Sequence, residues 1–516
     1  MSLNEEKETC ATAGPNPQLL TDNQEELEGQ VENQDTESEK RLARLYEQYG
    51  ATWDGPDDPN DPYNWAEWRK VSIGIIFSVG QLVTLMSASI LAAALGDISR
   101  DLGIGASTAQ LTLSVYFLGL GIGPFFIAAL CEMNGRKNIW IISNFWYILW
   151  NSLCPVGKSK GLMIVGRFFA ATGAGAGITL TGPVMADMYR AKDRGKSLAI
   201  ASFLPYLGPA LGPIVGGIVV DLIYWPWLFW IISIFDAFIV FLGVLVIKES
   251  YTPVLLRRKA AAQSQQPVNQ ALSPTKWAFW HDFFTRLATY LGRPIRLLVR
   301  RPIIQVISLV LGLNFGIYTL TISTFATLWI DRYQQSALIG SLHYISFSIG
   351  FCLTAQVGGR IMDIIYRRLR DRPKNKGEGR PEFRCPYMLP GVLFIPIGLF
   401  WYGWSAEYRI TWVMVDIGAL IFTCGSSIIA QALLAYTLDI FGEIGASANA
   451  ATRLLSNVSG FVFPIFAPQL YDRLGYGWGN SLLAFIFVAL GLPVPVILWV
   501  WGEKLRALGK QQYEEN

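Results

Sequence analysis

Gly208-Pro209-Ala210-Leu211-Gly212-Pro213-Ile214-Val215-Gly216-Gly217 lies inside an apolar stretch running from Leu198 to Val220. A helix needs about 20 apolar residues to cross a bilayer, so the stretch is long enough to span one. Gly208, Gly212 and Gly216 recur at every fourth position, which places them on one helix face and lets a second helix come close. Pro209 and Pro213 remove backbone donors and bend the same segment. A bent helix with a close-packed face can act as a pivot, and this points to transport. A packing contact in any polytopic protein would use the same residues.

The rest of the chain agrees with a membrane setting. Of its 516 residues, 52% are hydrophobic and only 16% charged, and the mean hydropathy is +0.33, too apolar for a soluble protein of this length. Apolar windows predict an all-α membrane protein with twelve spans near 71–94, 108–131, 138–155, 161–184, 198–220, 225–247, 303–327, 337–359, 387–404, 411–435, 447–470 and 481–501. The weakest is the eleventh, which carries Asn449, Arg453 and Asn457. An even number of crossings puts both termini on one side.

Basic residues give the orientation. The connection after span six holds Lys248, Arg257, Arg258, Lys259, Lys276, Arg286, Arg293, Arg296, Arg300 and Arg301, against the acids Glu249 and Asp282. The connection after span eight adds Arg367, Arg368, Arg370, Arg372, Lys374, Lys376, Arg380 and Arg384. These connections, and with them both termini, are expected in the cytoplasm. The small excess of +3 gives no reason to expect a nucleic-acid partner.

The predicted organisation is a disordered acidic cytoplasmic tail at 1–69, a six-helix half at 70–247, a cytoplasmic central loop at 248–301, a second six-helix half at 302–502 and a short cytoplasmic tail at 503–516. The tail lacks the apolar core of a cleavable signal, so the first span is expected to direct insertion. Cys10, Cys131, Cys154, Cys352, Cys385 and Cys424 show no paired spacing, and neither disulfides, a metal site nor a cofactor is expected. The two halves carry a relic of repetition. After span two the chain reads Ala128-Ala-Leu130-Cys-Glu132-Met-Asn-Gly135-Arg136-Lys137, and after span eight Gly359-Arg-Ile-Met-Asp363-Ile-Ile-Tyr-Arg367-Arg368. In each, a small residue sits four before an acid and a basic pair follows four and five after it. Such an acid can pair with cations at the helix ends and so gate the cytoplasmic side.

The first copy resembles the G-x-L-a-D-x-x-G-R-K loop of the major facilitator superfamily, matched at Leu130, Gly135, Arg136 and Lys137, with Ala128 and Glu132 in place of its Gly and Asp. The Gly/Pro run resembles the fifth-span signature of antiporters in that superfamily. Arg167 resembles the fourth-span arginine associated with proton transfer, although Ala171 stands where a Gly is usual. Further stretches resemble fungal members of the twelve-span drug:proton antiporter family: Asp58-Pro-Asn-Asp61-Pro62-Tyr-Asn64-Trp65, Ala186-Asp187-Met-Tyr, Trp225-Pro-Trp227-Leu-Phe229-Trp230, Glu249-Ser-Tyr251-Thr-Pro253 and Arg380-Pro381-Glu382-Phe-Arg384. The resemblance covers about 58 to 506. It implies two pseudo-symmetric halves around a central site, and export of drugs, fungal metabolites, polyamines or organic acids, commonly at the plasma membrane.

Ionisable residues inside a bilayer need partners, so each is a pathway candidate. For proton coupling these are Arg167, Asp236 in the middle of span six, and Asp416 in span ten; the first span, Val71 to Ala94, has no acid of its own. Arg453, with Asn457 one turn on, is read as a gate residue rather than an anion clamp. Gln81, Thr84, Asn314, Tyr318 and Gln431 are expected in the cavity wall, an apolar surface with a few polar groups that suits an amphipathic solute. His343 is read as structural.

The expected activity is secondary active export of a small organic molecule by proton antiport and alternating access. The partners are the solute, protons and the lipid bilayer, and the unit is a monomer at the plasma membrane, with a vacuolar or other internal membrane as the alternative. A facilitator, or an exporter or importer of a polyamine or organic acid in the same fold, is the nearest rival. An enzyme is not expected, because no G-x-S-x-G, H-E-x-x-H or G-x-x-x-x-G-K-[ST] occurs.

Overall fold

The structure, a computed structural model, describes residues 39–190, 204–263, 276–373, 378–442 and 445–514, which contain helices and no strand. The chain divides into two units, Met1–Trp65 with Thr252–Pro274, and Ala66–Tyr251 with Thr275–Asn516.

In the first unit, helix α1 spans 39–49. Its Arg41 binds Asp61 through both terminal guanidinium nitrogens, at 2.8 and 3.3 Å. Asp61 also accepts from the Tyr63 N–H, capping the 3-10 turn Pro62–Asn64. Asp58 accepts from the N–H groups of Asp54 at 2.9 Å and Asn60 at 2.8 Å. Burial opposes its ionisation, but these bonds outweigh the effect and hold the carboxyl below its usual range. Residues 39–65 therefore correct the expectation of a disordered tail to residue 69: the Asp/Pro turns satisfy their own backbone donors, and Trp53 and Trp65 are buried. Residues 1–38 lie outside the described residues.

The second unit holds the membrane helices. The first half contains α2 (Glu67–Ser89), α3 (Leu95–Leu102), α4 (Ala106–Asn134), α5 (Arg136–Leu153), α6 (Lys160–Met188), α7 (Gly208–Leu222) and α8 (Trp227–Val246). The connecting segment contributes α9 (Thr252–Gln263), which belongs to the first unit, and α10 (Lys276–Arg300). The second half contains α11 (Pro302–Thr327), α12 (Ala337–Leu342), α13 (Ile345–Leu353), α14 (Gly359–Arg370), α15 (Cys385–Glu407), α16 (Trp412–Phe441), α17 (Gly445–Leu490) and α18 (Val494–Glu514). The central loop thus carries two helices, and α18 continues through the segment expected as a terminal tail.

Ten helical runs are long and apolar enough to cross a membrane, against the twelve expected. The difference has two causes. The run Ser447–Leu508 has 62 residues, far more than one crossing needs, and is broken at Gly475, with φ +68°. Helix α5 has only 18 residues, among them Arg136, Lys137, Asn144 and Asn151, which lower its hydropathy.

Within the first half α4 and α5 pack on α6; within the second, α15 packs on α16 and α11 on α17. The halves meet chiefly where α4 packs on α17 and α7 on α12, with smaller contacts of α13 on α7 and of α11 on the 3-10 turn Ile90–Ala94. The ends of α4, α6 and α8 lie on the same side as the start of α15, here termed the basic side.

Candidate functional site

The Gly/Pro run forms α7, and its glycines are used where backbones meet. A Cβ at Gly208 would lie 2.6 Å from Leu85 Cβ, one at Gly212 would strike Ser89 Oγ and lie 2.6 Å from the Met86 carbonyl, and one at Gly216 would lie 2.5 Å from the Ile90 carbonyl. All three contacts fall on α2 or the 3-10 turn that continues it. Pro209 occupies the first turn, where its missing N–H is no loss, and Pro213 lies in the interior. Gly217 faces the other half: a Cβ there would strike Ser341 Oγ and lie 2.6 Å from the Ala337 carbonyl. One turn on, Asp221 accepts from the Leu338 N–H at 2.9 Å. The run therefore fastens span five to span one on one face and to the second half on the other.

Other bonds between the halves lie toward the same end, away from the basic side. Gln110 donates to the Ser323 carbonyl at 3.4 Å and Gln469 to Ser107 Oγ at 3.5 Å. Nearer the middle, Ser348 donates to the Tyr206 carbonyl at 3.4 Å, and Phe117 meets Phe315 edge-on at 5.5 Å.

On the basic side the acid and the arginine of the first repeat do not pair with each other. Glu132 turns to α10, where it accepts from Arg286 at 3.3 Å and from the Tyr290 hydroxyl. Arg136 reaches Asp187 at the end of α6, at 3.3 Å, and lies 4.3 Å over the Tyr251 ring. Lys137 donates to the Val244 carbonyl at 3.1 Å. Glu249 completes the network: its carboxylate accepts from the N–H groups of Arg136 at 2.8 Å and Lys137 at 3.2 Å, satisfying donors at the start of α5. Gly135, with φ +93°, makes this possible, since a Cβ would strike that carboxylate.

The second repeat is wired differently. Asp363 meets Arg384 from the start of α15, at 3.2 Å, rather than Arg367, and Arg384 also binds Asp439 at 3.0 Å. Glu382 pairs with Arg506 of α18. The glycine-and-carboxylate device recurs on the opposite side, where Gly475 lies against Glu407, which accepts from the Gly477 N–H at 3.1 Å and pairs with Arg332 at 2.8 Å.

A buried polar cluster occupies the first half. Arg167 is fully buried; it donates to Ser87 Oγ at 3.1 Å and to the Ser87 carbonyl at 2.7 Å, just before the chain tightens into the 3-10 turn Ile90–Ala94, and lies 4.2 Å over the Tyr116 ring. It pairs with no carboxylate among the described residues. Asp236, on α8, is 1% exposed, and its Oδ2 has no hydrogen-bond partner. The Tyr147 hydroxyl and Arg167 Nε are likewise without a hydrogen-bond partner. Asp416, the third coupling candidate, lies instead in the second half, bound to His343 Nδ1 at 2.7 Å. His343 stacks on Trp329 with ring centroids 3.7 Å apart.

The expected cavity wall divides. Thr84 donates to the Ala174 carbonyl at 2.8 Å and Gln81 to Thr181 at 2.8 Å, so both tie α2 to α6. Asn314 donates to the Ser426 carbonyl at 3.2 Å, which leaves its Oδ1 unsatisfied, and the Tyr318 hydroxyl is also unsatisfied, its ring set among Phe315, Phe347 and Phe351. Gln431 is half-buried and donates to Ser427 at 3.4 Å. Arg453 is exposed and pairs with no carboxylate among the described residues; Asn457 donates to its carbonyl at 3.0 Å, and the Asn457 Cβ would stand 3.0 Å from a Cβ on Gly121 of α4.

The sequence gives no site role to Asp221, Tyr290 or Asp439, and Arg286 and Arg384 enter it only as orienting cations and, for Arg384, in a family stretch. Their partners are distant in the chain, and no local spacing announces such pairs. The stretches around Asp187 and Glu249 stand out in the sequence, but only the fold brings both carboxylates to Arg136.

Residues 77–464 match the Major Facilitator Superfamily. A relative in Aspergillus flavus named probable efflux pump mfs2 is 38% identical over 433 residues, 82% of this chain and 99% of that protein. The efflux pump vrtL of Penicillium aethiopicum is 35% identical over 460 residues, 89% of this chain and 90% of that protein. Among solved structures, the xylose transporter XylE from E. coli in a partially occluded inward open conformation gives a TM-score of 0.60 at 14% identity, covering 84% of this chain and 98% of that one. A POT family transporter in complex with a thioalcohol conjugated peptide also gives 0.60 at 14% identity, covering 84% and 96%. At these identities the two structures speak for the fold alone.

Proposed function

Because this chain belongs to the Major Facilitator Superfamily and is a multi-pass membrane transporter, we propose that it exports a small organic molecule, a drug, toxin or secondary metabolite, by proton antiport with alternating access. The observation that carries the reading is the double contact of α7, which packs on α2 through Gly208, Gly212 and Gly216 and on the second half through Gly217 and Asp221. Rocking of two halves about a central site requires such an element, close-packed on one side and separable on the other. Fungal relatives named as efflux pumps support outward transport.

For coupling, Asp236 is the best placed group. A buried carboxyl with an unsatisfied oxygen must either be protonated or acquire a cationic partner during the cycle, and Arg167 lies within the same cluster. Asn314 Oδ1 and the Tyr318 hydroxyl, unsatisfied beside aromatic rings, suit an amphipathic organic solute. The protein works as a monomer in the plasma membrane, with the basic side toward the cytoplasm.

The test is flux in proteoliposomes with an imposed pH gradient, using candidate fungal metabolites and amphipathic dyes. Uptake into vesicles that is driven by the gradient and abolished by a protonophore is expected. Transport indifferent to the gradient would replace antiport by facilitated diffusion.

A further inference from the structure

Helix α10 buries one face against the bundle. Phe283 and Leu287 are 7% and 8% exposed and pack with Phe125, Ala129 and Met133 of α4 and with Ala450 and Leu454 of α17. Leu297 is 3% exposed. A second apolar stripe runs beside that face and is exposed: Trp277, Phe284, Ala288, Ile295 and Val299, with Trp277, Phe284 and Val299 at 77%, 58% and 67%. Their spacing of seven or four residues keeps them on one line along the helix. The 22-residue separation of its ends makes the stripe about 33 Å long. Arg286, Arg293 and Arg300 follow each other at seven-residue intervals along another side, Arg296 is exposed between them, and Asp282 is the only acid from Lys276 to Arg301.

We infer that α10 lies in the headgroup layer on the basic side of the membrane, its Trp277–Val299 stripe in the acyl boundary and its arginines on the phosphate groups of anionic phospholipids. Four observations select lipid as the occupant. The stripe ends three residues before Pro302, the first residue of a membrane span, so its end is tethered at the bilayer border. Long exposed apolar stripes are rare on soluble faces. Exposed Trp on an apolar arc, with arginines on the polar side of the same helix, is the pattern of interfacial helices. Arg293, Arg296 and Arg300 pair with no carboxylate among the described residues, so their charge is available to anionic headgroups. Trp277 stacks on His281 and Trp280 on Phe284; beside these rings Thr285, Thr289 and Arg296 line a groove of about 740 Å³, apolar at one end and cationic at the other. Because Arg286 and Tyr290 hold Glu132, lipid bound to α10 braces the link between the helix and the end of α4.

The full chain carrying a photo-crosslinking benzoylphenylalanine at Phe284, reconstituted in nanodiscs of phosphatidylcholine with phosphatidylserine, tests the placement without reference to transport. Phe284 is expected to yield a lipid adduct, and the same probe at Leu287 an intrachain one. No lipid adduct at Phe284, or adducts only to protein, would overturn the proposal. The charge part is read from phosphatidylserine retained per protein after extraction from mixed membranes. Combined Arg293→Gln, Arg296→Gln and Arg300→Gln substitutions should lower it at least about twofold, and unchanged retention would refute headgroup selectivity.

Discussion

Asp221 at the end of α7 accepts a hydrogen bond from the backbone N–H of Leu338 at the start of α12, at 2.9 Å, across the boundary between the two halves. This bond must break whenever that end of the boundary opens. Asp221→Ala removes an acceptor from an exposed backbone donor, at a cost of about 1 to 2 kcal/mol to the closed arrangement. Cysteine labelling at Ser341 should therefore speed up roughly tenfold, with Asp221→Asn, which keeps a carbonyl acceptor, in between. Equal labelling in all three proteins would remove Asp221 from the closure.

The glycines of α7 separate two functions. Gly212→Leu places a side chain against Ser89 and the Met86 carbonyl within one half, an overpacking cost of about 1 to 3 kcal/mol, and should abolish transport at normal membrane abundance. Gly217→Val acts between halves and should leave thermal stability near wild type while favouring the state open at that end. Full transport by Gly212→Leu would defeat the pivot reading of the run.

At the start of α5, Glu249 is a stability residue. Glu249→Ala leaves the N–H groups of Arg136 and Lys137 without their acceptor, and loss of such a cap costs about 1 to 2 kcal/mol. Thermal unfolding in detergent should show a clear loss for Glu249→Ala and a smaller one for Glu249→Gln. Gly135→Ala should be as harmful, because its φ of +93° and the adjacent carboxylate both exclude a Cβ.

The Glu132 and Arg286 pair is half-exposed, at 33% and 32%, so its direct worth is limited to about 0.2 to 1 kcal/mol. Glu132→Gln and Arg286→Gln should each shift the accessibility of the basic side by no more than about fivefold, and the double variant should add little. A strictly additive double variant would show that the two side chains act independently.

Asp236→Asn should bind substrate and permit downhill exchange but lose accumulation driven by a pH gradient, because an amide cannot exchange the proton. The neutral side chain fits the buried site, so normal abundance is expected. Undiminished gradient-driven transport would move coupling elsewhere.

The membrane class, the all-helical fold and the importance of the Gly/Pro run were legible in the sequence, because hydropathy and a four-residue glycine spacing are local properties that a helix converts directly into a buried face. Gly135 and Glu132 were recognisable for the same reason, as parts of one short stretch. Partners were not. Glu132 and Arg136 are four residues apart, yet they serve different helices, Arg286 of α10 and Asp187 of α6. The reason is physical: Gly135 turns the chain with φ +93° between them and ends α4, so helical spacing no longer relates the two side chains. Asp363 likewise takes Arg384 in place of Arg367, and Asp416 takes His343. Pattern fixes which face of a helix is apolar or small. Which charge meets which is decided only when helices remote in sequence are brought side by side, since Coulomb attraction and hydrogen bonding depend on distance in space and carry no trace of distance along the chain.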